Sequence, residues 1–456
     1  MFLETIRSEG LAQNSYILGD GGQAAVIDPR RDCQIYLEIA TREGVRITDI
    51  FESHRNEDFV IGSCELAELT GAVIHHGAAL DFTYGKPARD GDIISFGNLE
   101  LRILETPGHT FESLSYVLID KEFSDEPVAV FTGDCLFIGD VGRTDFFPDR
   151  AEEVAGLLFD SLFDKLLPLG DQVLLYPAHG AGSVCGSGMA SREFSTLGYE
   201  RRHNPSLQKT DREEFIRMKL AEQHSYPPYF RKMEQFNLAG PPLLGKIPRP
   251  LPLVADDFAT AIENGMIVLD LRSPEAFAGA CIPGSIAIPL EMLPAYAGWF
   301  LPYDRDIGLI LERTADWETA ARYLLRLGYS RLVAYLHDGM HAWEISGREY
   351  ERVPAVFAGD LKKRIESDEE FTLLDVRRPE EVQQGVLPGA LTIFLGDLLH
   401  RLEDIPRERP ITTFCGSGKR AIIAASLLKA NGFNQVEDCL GSMAACRAVG
   451  CEIVNP

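Results

Sequence analysis

The sequence predicts an α/β chain, one larger layered domain followed by two copies of a small domain with a parallel sheet. Three observations carry this. Short β runs alternate with helical stretches through the first part of the chain, and His or Asp residues stand where several of those runs end. The stretch Ala239–Pro252, with five prolines and two glycines, reads as a stiff linker. Beyond it, Asp270-Leu-Arg272-Ser-Pro274-Glu275 recurs as Asp375-Val-Arg377-Arg-Pro379-Glu380, and Pro283-Gly284 recurs as Pro388-Gly389, every position shifted by 105 residues. A period of that size marks a duplicated domain, not a solenoid unit. The boundaries expected are 1–240 for the first domain, 241–252 for the linker, and 253–352 and 353–456 for the two copies.

In chain order, Ser15–Leu18 and Ala24–Ile27 read as paired strands across Gly19–Gly22. Gln34–Glu43 has a helical pattern, Val45–Phe51 a β pattern, and Cys64–Thr70 a helical one. Ala72–Ile74, Ile93–Phe96, Leu99–Glu105, Ser115–Ile119 and Val128–Phe131 read as strands. Ala151–Leu167 is a long amphipathic helix and Gln172–Tyr176 a short buried strand, while residues 186–240 are polar and mostly helical. Each copy of the repeat runs strand, Asp-x-Arg turn, Pro-Gly loop, strand, helix and strand.

A net charge of -25 argues against nucleic acid and anionic membranes as partners, since both recruit basic patches. No apolar run is long enough to span a bilayer. Met1–Gly10 carries Glu4, Arg7 and Glu9 without an apolar core, so it does not read as a secretory signal. The nine cysteines are scattered, with no Cys-x-x-Cys pair, which fits free thiols in a reducing, cytoplasmic compartment.

Four stretches place metal-ligand types after strands. They are Ser53–Phe59, Thr106-Pro-Gly-His109-Thr110, Thr132-Gly-Asp134-Cys135 and Tyr176-Pro-Ala-His179-Gly180. In this order they resemble the metallo-β-lactamase fold, an αββα sandwich with metals in loops at one edge of two sheets. Against that family's His-x-His-x-Asp-His pattern, His54 and Asp58 fill the first and third ligand positions, while Asn56 and Phe59 replace the other two. An amide is a poor transition-metal ligand and a phenyl ring is none, so a two-metal hydrolase site is damaged. His54, His109 and Asp134 survive, the two-histidine, one-carboxylate set of mononuclear iron(II) oxygenases. The persulfide dioxygenases are a mononuclear-iron branch of this fold. Gly139–Phe146 resembles their substrate loop, which implies that Arg143 holds a substrate carboxylate through its guanidinium fork. Tyr176–Gly186 is similar to the versions fused to sulfurtransferase domains. His179 is expected to orient a ligand or water, and Asp58 either joins it or bonds the backbone of its own turn. His75 and His76 read as structural.

Phe414-Cys415-Gly416-Ser417-Gly418-Lys419-Arg420 follows a strand and precedes a helix. The glycines let the backbone amides curl into an anion nest, and nest, helix start and Arg420 would all favour a Cys415 thiolate. With its upstream turns this stretch resembles a rhodanese domain, which implies that Cys415 takes up sulfane sulfur and hands it on, with Gly416–Lys419 binding the substrate anion. The earlier copy has Leu311 at the nucleophile position and Asp316 opposite Arg420, so it reads as a rhodanese fold without its nucleophile, a spacer or docking surface. Cys281 reads as structural, and Cys185 is the remaining cysteine close to His179 in sequence.

These resemblances imply a persulfide dioxygenase with sulfurtransferase activity. It would hold one Fe(II) per chain, with zinc as the alternative metal, and act on a small thiol persulfide, O2, and sulfite or thiosulfate. A homo-oligomer is left open. The competing expectations are a zinc thioester hydrolase of the glyoxalase II kind and a non-catalytic persulfide-binding domain serving the sulfurtransferase.

Overall fold

The computed structural model describes residues 1–183, 186, 188–367 and 369–456. Cys185 lies outside the described residues. The chain divides into two compact units, Met1–Ile247 with Leu325–Gly328, and Pro248–Leu324 with Tyr329–Pro456.

The first unit holds two six-stranded sheets. One is ordered β1 (Phe2–Ser8), β2 (Gln13–Asp20), β3 (Gln23–Ile27), β4 (Arg46–Phe51), β5 (Val73–Gly77) and β6 (Lys86–Ala88). The other contains β7 (Ile93–Phe96), β8 (Leu99–Glu105), β9 (Leu114–Asp120), β10 (Pro127–Gly133), β11 (Leu174–Pro177) and β12 (Ser195–Thr196), again neighbour to neighbour. Three apolar clusters give the layering. Tyr16, Leu18 and Phe51 of the first sheet meet Leu101, Tyr116 and Phe131 of the second, so the sheets pack face to face. The outer face of the first sheet packs on α1 (Gln34–Glu43) and α2 (Ser63–Thr70) through Tyr36, Ile39 and Leu66. The outer face of the second is covered by α3 (Ala151–Asp160), α4 (Leu197–His203) and α5 (Arg212–Ala221) through Leu158, Leu197 and Phe215. The result is an αββα sandwich, with α6 (Phe230–Ala239) closing the unit.

One segment that the sequence leaves unassigned becomes a strand, and two local expectations change. The charged N-terminal segment is a strand, paired antiparallel with β2 from Phe2–Gly19 to Ser8–Gln13. The helix expected to reach Leu167 stays α-helical to Asp160 and then widens into a π turn over Ser161–Leu166. That turn begins where the Ser161 hydroxyl donates to the Pro107 carbonyl at 2.7 Å, beside the loop that carries His109. Among the described residues 186–194 there is no helix, and helical structure resumes only at α4.

The second unit holds two five-stranded parallel sheets. The first, β13-β17-β16-β14-β15, uses β13 (Leu251–Leu253), β14 (Ile267–Asp270), β15 (Ile286–Ala287), β16 (Ile307–Ile310) and β17 (Leu332–Leu336). Its helices are α7 (Ala255–Glu263), α8 (Pro274–Gly279), α9 (Leu293–Phe300), α10 (Asp316–Arg326) and α11 (Gly339–Ile345). The second sheet repeats the order as β18-β22-β21-β19-β20, from β18 (Ala355–Val356), β19 (Thr372–Asp375), β20 (Leu391–Thr392), β21 (Ile411–Phe414) and β22 (Val436–Cys439). Around it lie α12 (Ala358–Glu366), α13 (Pro379–Val382), α14 (Lys419–Ala430) and α15 (Ser442–Ala448).

The Asp-x-Arg repeat has one structural meaning in both copies. Arg272 forks onto Asp270 and donates to the Ala280 carbonyl at 2.7 Å. Arg377 forks onto Asp375 and donates to the Gly385 carbonyl at 2.9 Å. Each buried carboxylate at a strand end is thus neutralised by an arginine that also ties down the next loop. No helix among the described residues is long and apolar enough to cross a membrane.

Candidate metal centre and cysteine loop

His54 follows β4, His109 follows β8, Asp134 follows β10 and His179 follows β11. Strands β8, β10 and β11 run in one direction, because β9 is antiparallel to both β8 and β10 and β11 is parallel to β10. Their C-terminal loops therefore share an edge. There His54, Glu57, His109 and Asp134 are all buried and bring one donor atom each to within 4.8 Å of the others, forming a metal-binding site. Glu57 stands at a spacer position of the motif and was missed from sequence, where an acidic loop residue gives no sign of turning inward.

The donors fit a cation. His54 Nε2 and Asp134 Oδ2 are buried with no hydrogen-bond partner and lie 3.8 Å apart, and His109 Nε2 is 3.5 Å from the same Asp134 oxygen. Glu57 closes the group, with Oε2 3.9 Å from His54 Nε2 and Oε1 3.0 Å from His109 Nε2. Ligand atoms about 2.1 Å from a shared ion sit about 3 to 4 Å apart, so these separations need little change. Two unpaired buried polar atoms facing each other are otherwise a cost that a protein removes. Ser53 Oγ holds His54 Nδ1 at 2.9 Å, and the Arg143 carbonyl accepts from His109 Nδ1 at 3.0 Å, so both rings turn Nε2 inward. Burial pushes His54 down to about 3, leaving a neutral imidazole able to ligate.

The other motif positions point elsewhere. Asn56 donates from its amide to the His54 carbonyl at 3.2 Å, and Phe59 is buried with its ring against His179. His179 spends both nitrogens on carboxylates, Nδ1 on Asp134 Oδ1 at 2.7 Å and Nε2 on Asp58 Oδ2 at 3.0 Å. Burial opposes its charge, but the Asp134 and Asp58 carboxylates outweigh that and hold its pKa well above the ordinary value. Burial likewise opposes the Asp134 charge, and His179, His54 and His109 overcome it, holding that carboxyl below the usual range. His179 thus orients Asp134.

Arg143 is engaged within the protein. It is fully buried, and its fork is already filled by Asp145 at 2.7 and 2.6 Å, with Ser225 O at 3.3 Å and the Phe146 ring beneath. The resemblance implies a substrate carboxylate on this fork; in this structure Asp145, two residues along, holds it. His75 and His76 are tied to Asp49 and to the Tyr84 carbonyl, both at 2.8 Å.

In the second unit Cys415 is buried at the end of β21. The Gly418 N–H donates to its Sγ at 3.1 Å, and its own N–H donates to Ser442 Oγ at 3.0 Å. The N–H groups of Met443 and Ala444 hold the Cys415 and Gly416 carbonyls at 3.0 Å each. Gly418, at φ 101°, makes the turn into α14 that an L side chain would strain. Arg420 forks onto Glu381 at 2.5 and 2.7 Å beside the loop, while Ser417 and Lys419 are exposed. The neighbouring copy reaches this loop. Its Glu291 pairs with Lys419 at 2.8 Å, and Tyr296 on α9 lies within electrostatic reach of Arg420, Arg378 and Cys415. In that copy Leu311 follows β16 as Cys415 follows β21, and Asp316 is paired with Arg313 at 2.8 Å. Burial pushes the Cys281 thiol up to about 12, away from reactivity.

The sequence matches the metallo-beta-lactamase superfamily over residues 9–179 and the rhodanese-like domain over 254–346 and 357–448. It is 33% identical over 216 residues to the mitochondrial persulfide dioxygenase ETHE1 of Bos taurus, spanning 45% of this chain and 74% of the relative. It is 34% identical over 164 residues to a hydroxyacylglutathione hydrolase of Rhodopseudomonas palustris, spanning 35% of this chain and 58% of that protein. A solved metallo-beta-lactamase from Staphylococcus aureus superposes with a TM-score of 0.67 at 31% identity, covering 74% of this chain and 99% of that one.

Proposed function

Because the chain belongs to the persulfide dioxygenase family of the metallo-beta-lactamase superfamily and carries two rhodanese-like domains, we propose that it oxidises a small thiol persulfide with O2 and passes sulfane sulfur through Cys415. The overall reaction balances as RSSH with O2 and water giving RSH, sulfite and two protons. The observation that carries this reading is, among the described residues, the buried donor set of His54, Glu57, His109 and Asp134, beside motif ligand positions taken by Asn56 and Phe59. What one iron(II) would supply when bound there is a redox-active centre open to both sulfur and O2.

The protein's own residues do the rest. Ser53 and the Arg143 carbonyl fix the two imidazoles, and His179 holds Asp134 in its ligating form. Phe146, 5.1 Å from the His109 ring, keeps the approach apolar, which favours a sulfur ligand over water. At the second site Cys415 attacks a sulfane sulfur, breaks the donor's S–S bond, and carries the sulfur as a persulfide. The Gly416–Lys419 backbone and Arg420 face the departing anion. Sulfite from the first step is an acceptor for that sulfur and would leave as thiosulfate.

A thioester hydrolase, the activity named for the Rhodopseudomonas relative, would need the second metal. Asn56, Phe59 and a doubly engaged His179 disfavour it. Protein loaded anaerobically with iron should consume O2 when given glutathione persulfide, and metal analysis should find one iron per chain. Uptake no greater than that of His109→Ala, or two zinc per chain, would sink the reading.

A further inference from the structure

If Arg143 is occupied, something else must meet the charged end of the thiol carrier. Arg55, the residue after His54, is mostly buried, its side chain 16% exposed. Its main chain is fixed by an N–H bond to Glu112 Oε1 at 2.9 Å. Its guanidinium makes one salt bridge, Nη2 to Glu234 Oε1 at 3.1 Å, and its buried Nε has no hydrogen-bond partner. The same Glu234 oxygen accepts from the Tyr226 hydroxyl at 3.1 Å. Tyr226 in turn lies within electrostatic reach of Glu57 and Arg55. A row of rings, His109 to Phe146 at 5.1 Å and Phe146 to Tyr226 at 6.0 Å, leads from the ligand nitrogens to this carboxylate.

The two arginines are therefore built differently. Arg143 is itself buried and has both edges engaged, by the Asp145 carboxylate and the Ser225 carbonyl. Arg55 holds one carboxylate by one edge, partly in solvent, with a donor to spare. An arginine that must release and rebind an anion needs the second arrangement.

We propose that Arg55 is the specificity residue for the carrier, exchanging Glu234 for a carboxylate of the bound thiol persulfide, with Tyr226 as second donor to the same group. Glu234 occupies the anion site until substrate displaces it. The substrate class is then a carboxylate-bearing thiol persulfide. This rests on the oxidation reading above for the identity of the substrate but not for its test.

The test is calorimetric binding of S-methylglutathione and of its dimethyl ester to the iron-loaded full chain. Arg55→Gln should weaken S-methylglutathione about tenfold or more and leave the ester unchanged. Arg55→Lys, which keeps charge without the fork, should fall between. Glu234→Gln removes the competitor and should tighten S-methylglutathione about threefold. In turnover, Arg55→Gln should raise KM for glutathione persulfide at least about fivefold more than it raises KM for 2-mercaptoethanol persulfide. Equal losses for both probes, no loss for either, weaker binding in Glu234→Gln, or no binding by the wild type would each overturn the proposal. Arg55-dependent binding without O2 uptake would overturn the oxidation reading alone, and O2 uptake indifferent to Arg55 would overturn this one alone.

Discussion

At the scale of single residues, the metal centre turns on Glu57. Three of its donors are the residue types that a strand-end motif advertises, and they were legible because His and Asp after successive strands have few other reasons to recur. Glu57 gave no such signal, since loop acids are usually solvated. Its place in the cluster depends on the turn that brings Oε1 to 3.0 Å from His109 Nε2. Burial raises the Glu57 pKa, which a nearby cation would reverse. Glu57→Ala should therefore weaken iron binding about 10- to 100-fold, read by chelator competition, while the helical circular-dichroism signal stays at the parent level. Unchanged iron affinity would remove Glu57 from the site. Arg143 teaches the converse, because its motif was legible but its partner was not. Asp145 lies two residues on and takes the fork that the resemblance assigned to substrate.

At the scale of elements, loops at one edge hold the ligands, and the helices decide where those loops sit. Gly108 shows how tightly. A Cβ there would stand 2.4 Å from Leu158 Cα on α3, at φ 147°, so the His109 loop and α3 need a glycine between them. The loop carrying His54 is held from α6. Asn237 donates to the Asn56 and Phe59 carbonyls at 2.5 and 2.8 Å and accepts from the Ile61 N–H at 2.9 Å. No periodicity could reveal this clamp, which joins positions 181 residues apart. Asn237→Ala leaves three buried backbone groups without partners. It should cost about 3 kcal/mol of stability and lower iron affinity in the same variant. A variant as stable as the parent, with parent iron affinity, would mean that the loop holds itself.

At the scale of the molecule, the duplication was legible in the Asp-Arg forks and Pro-Gly loops because both copies need them to close a sheet edge. What each copy does with its loop is not shared, and only Cys415 keeps a nucleophile. The second unit also carries an electrostatic cost that no motif announced. Asp438 on β22 is buried, with Thr413 Oγ1 at 3.2 Å from one oxygen and no partner for the other. Burial, aided by the Glu275 carboxylate, raises its pKa from 3.8 to about 7, against a hydrogen bond from Thr413 that lowers it. The folded chain thus binds this proton more tightly than the unfolded chain does. Stability from this group is complete below the unfolded value and is lost as pH rises from there through the folded one, by up to about 4 kcal/mol. Asp438→Asn keeps the shape and the acceptor for Thr413 but cannot ionise. In scanning calorimetry of the full chain, the transition moved by this substitution should lie higher than the parent's at about pH 8, and the gap should narrow at about pH 5. A gap of equal size at both pH values would mean that Asp438 is charged in the folded protein throughout. The Thr413 hydroxyl and a neighbouring cation would then have to bear its cost.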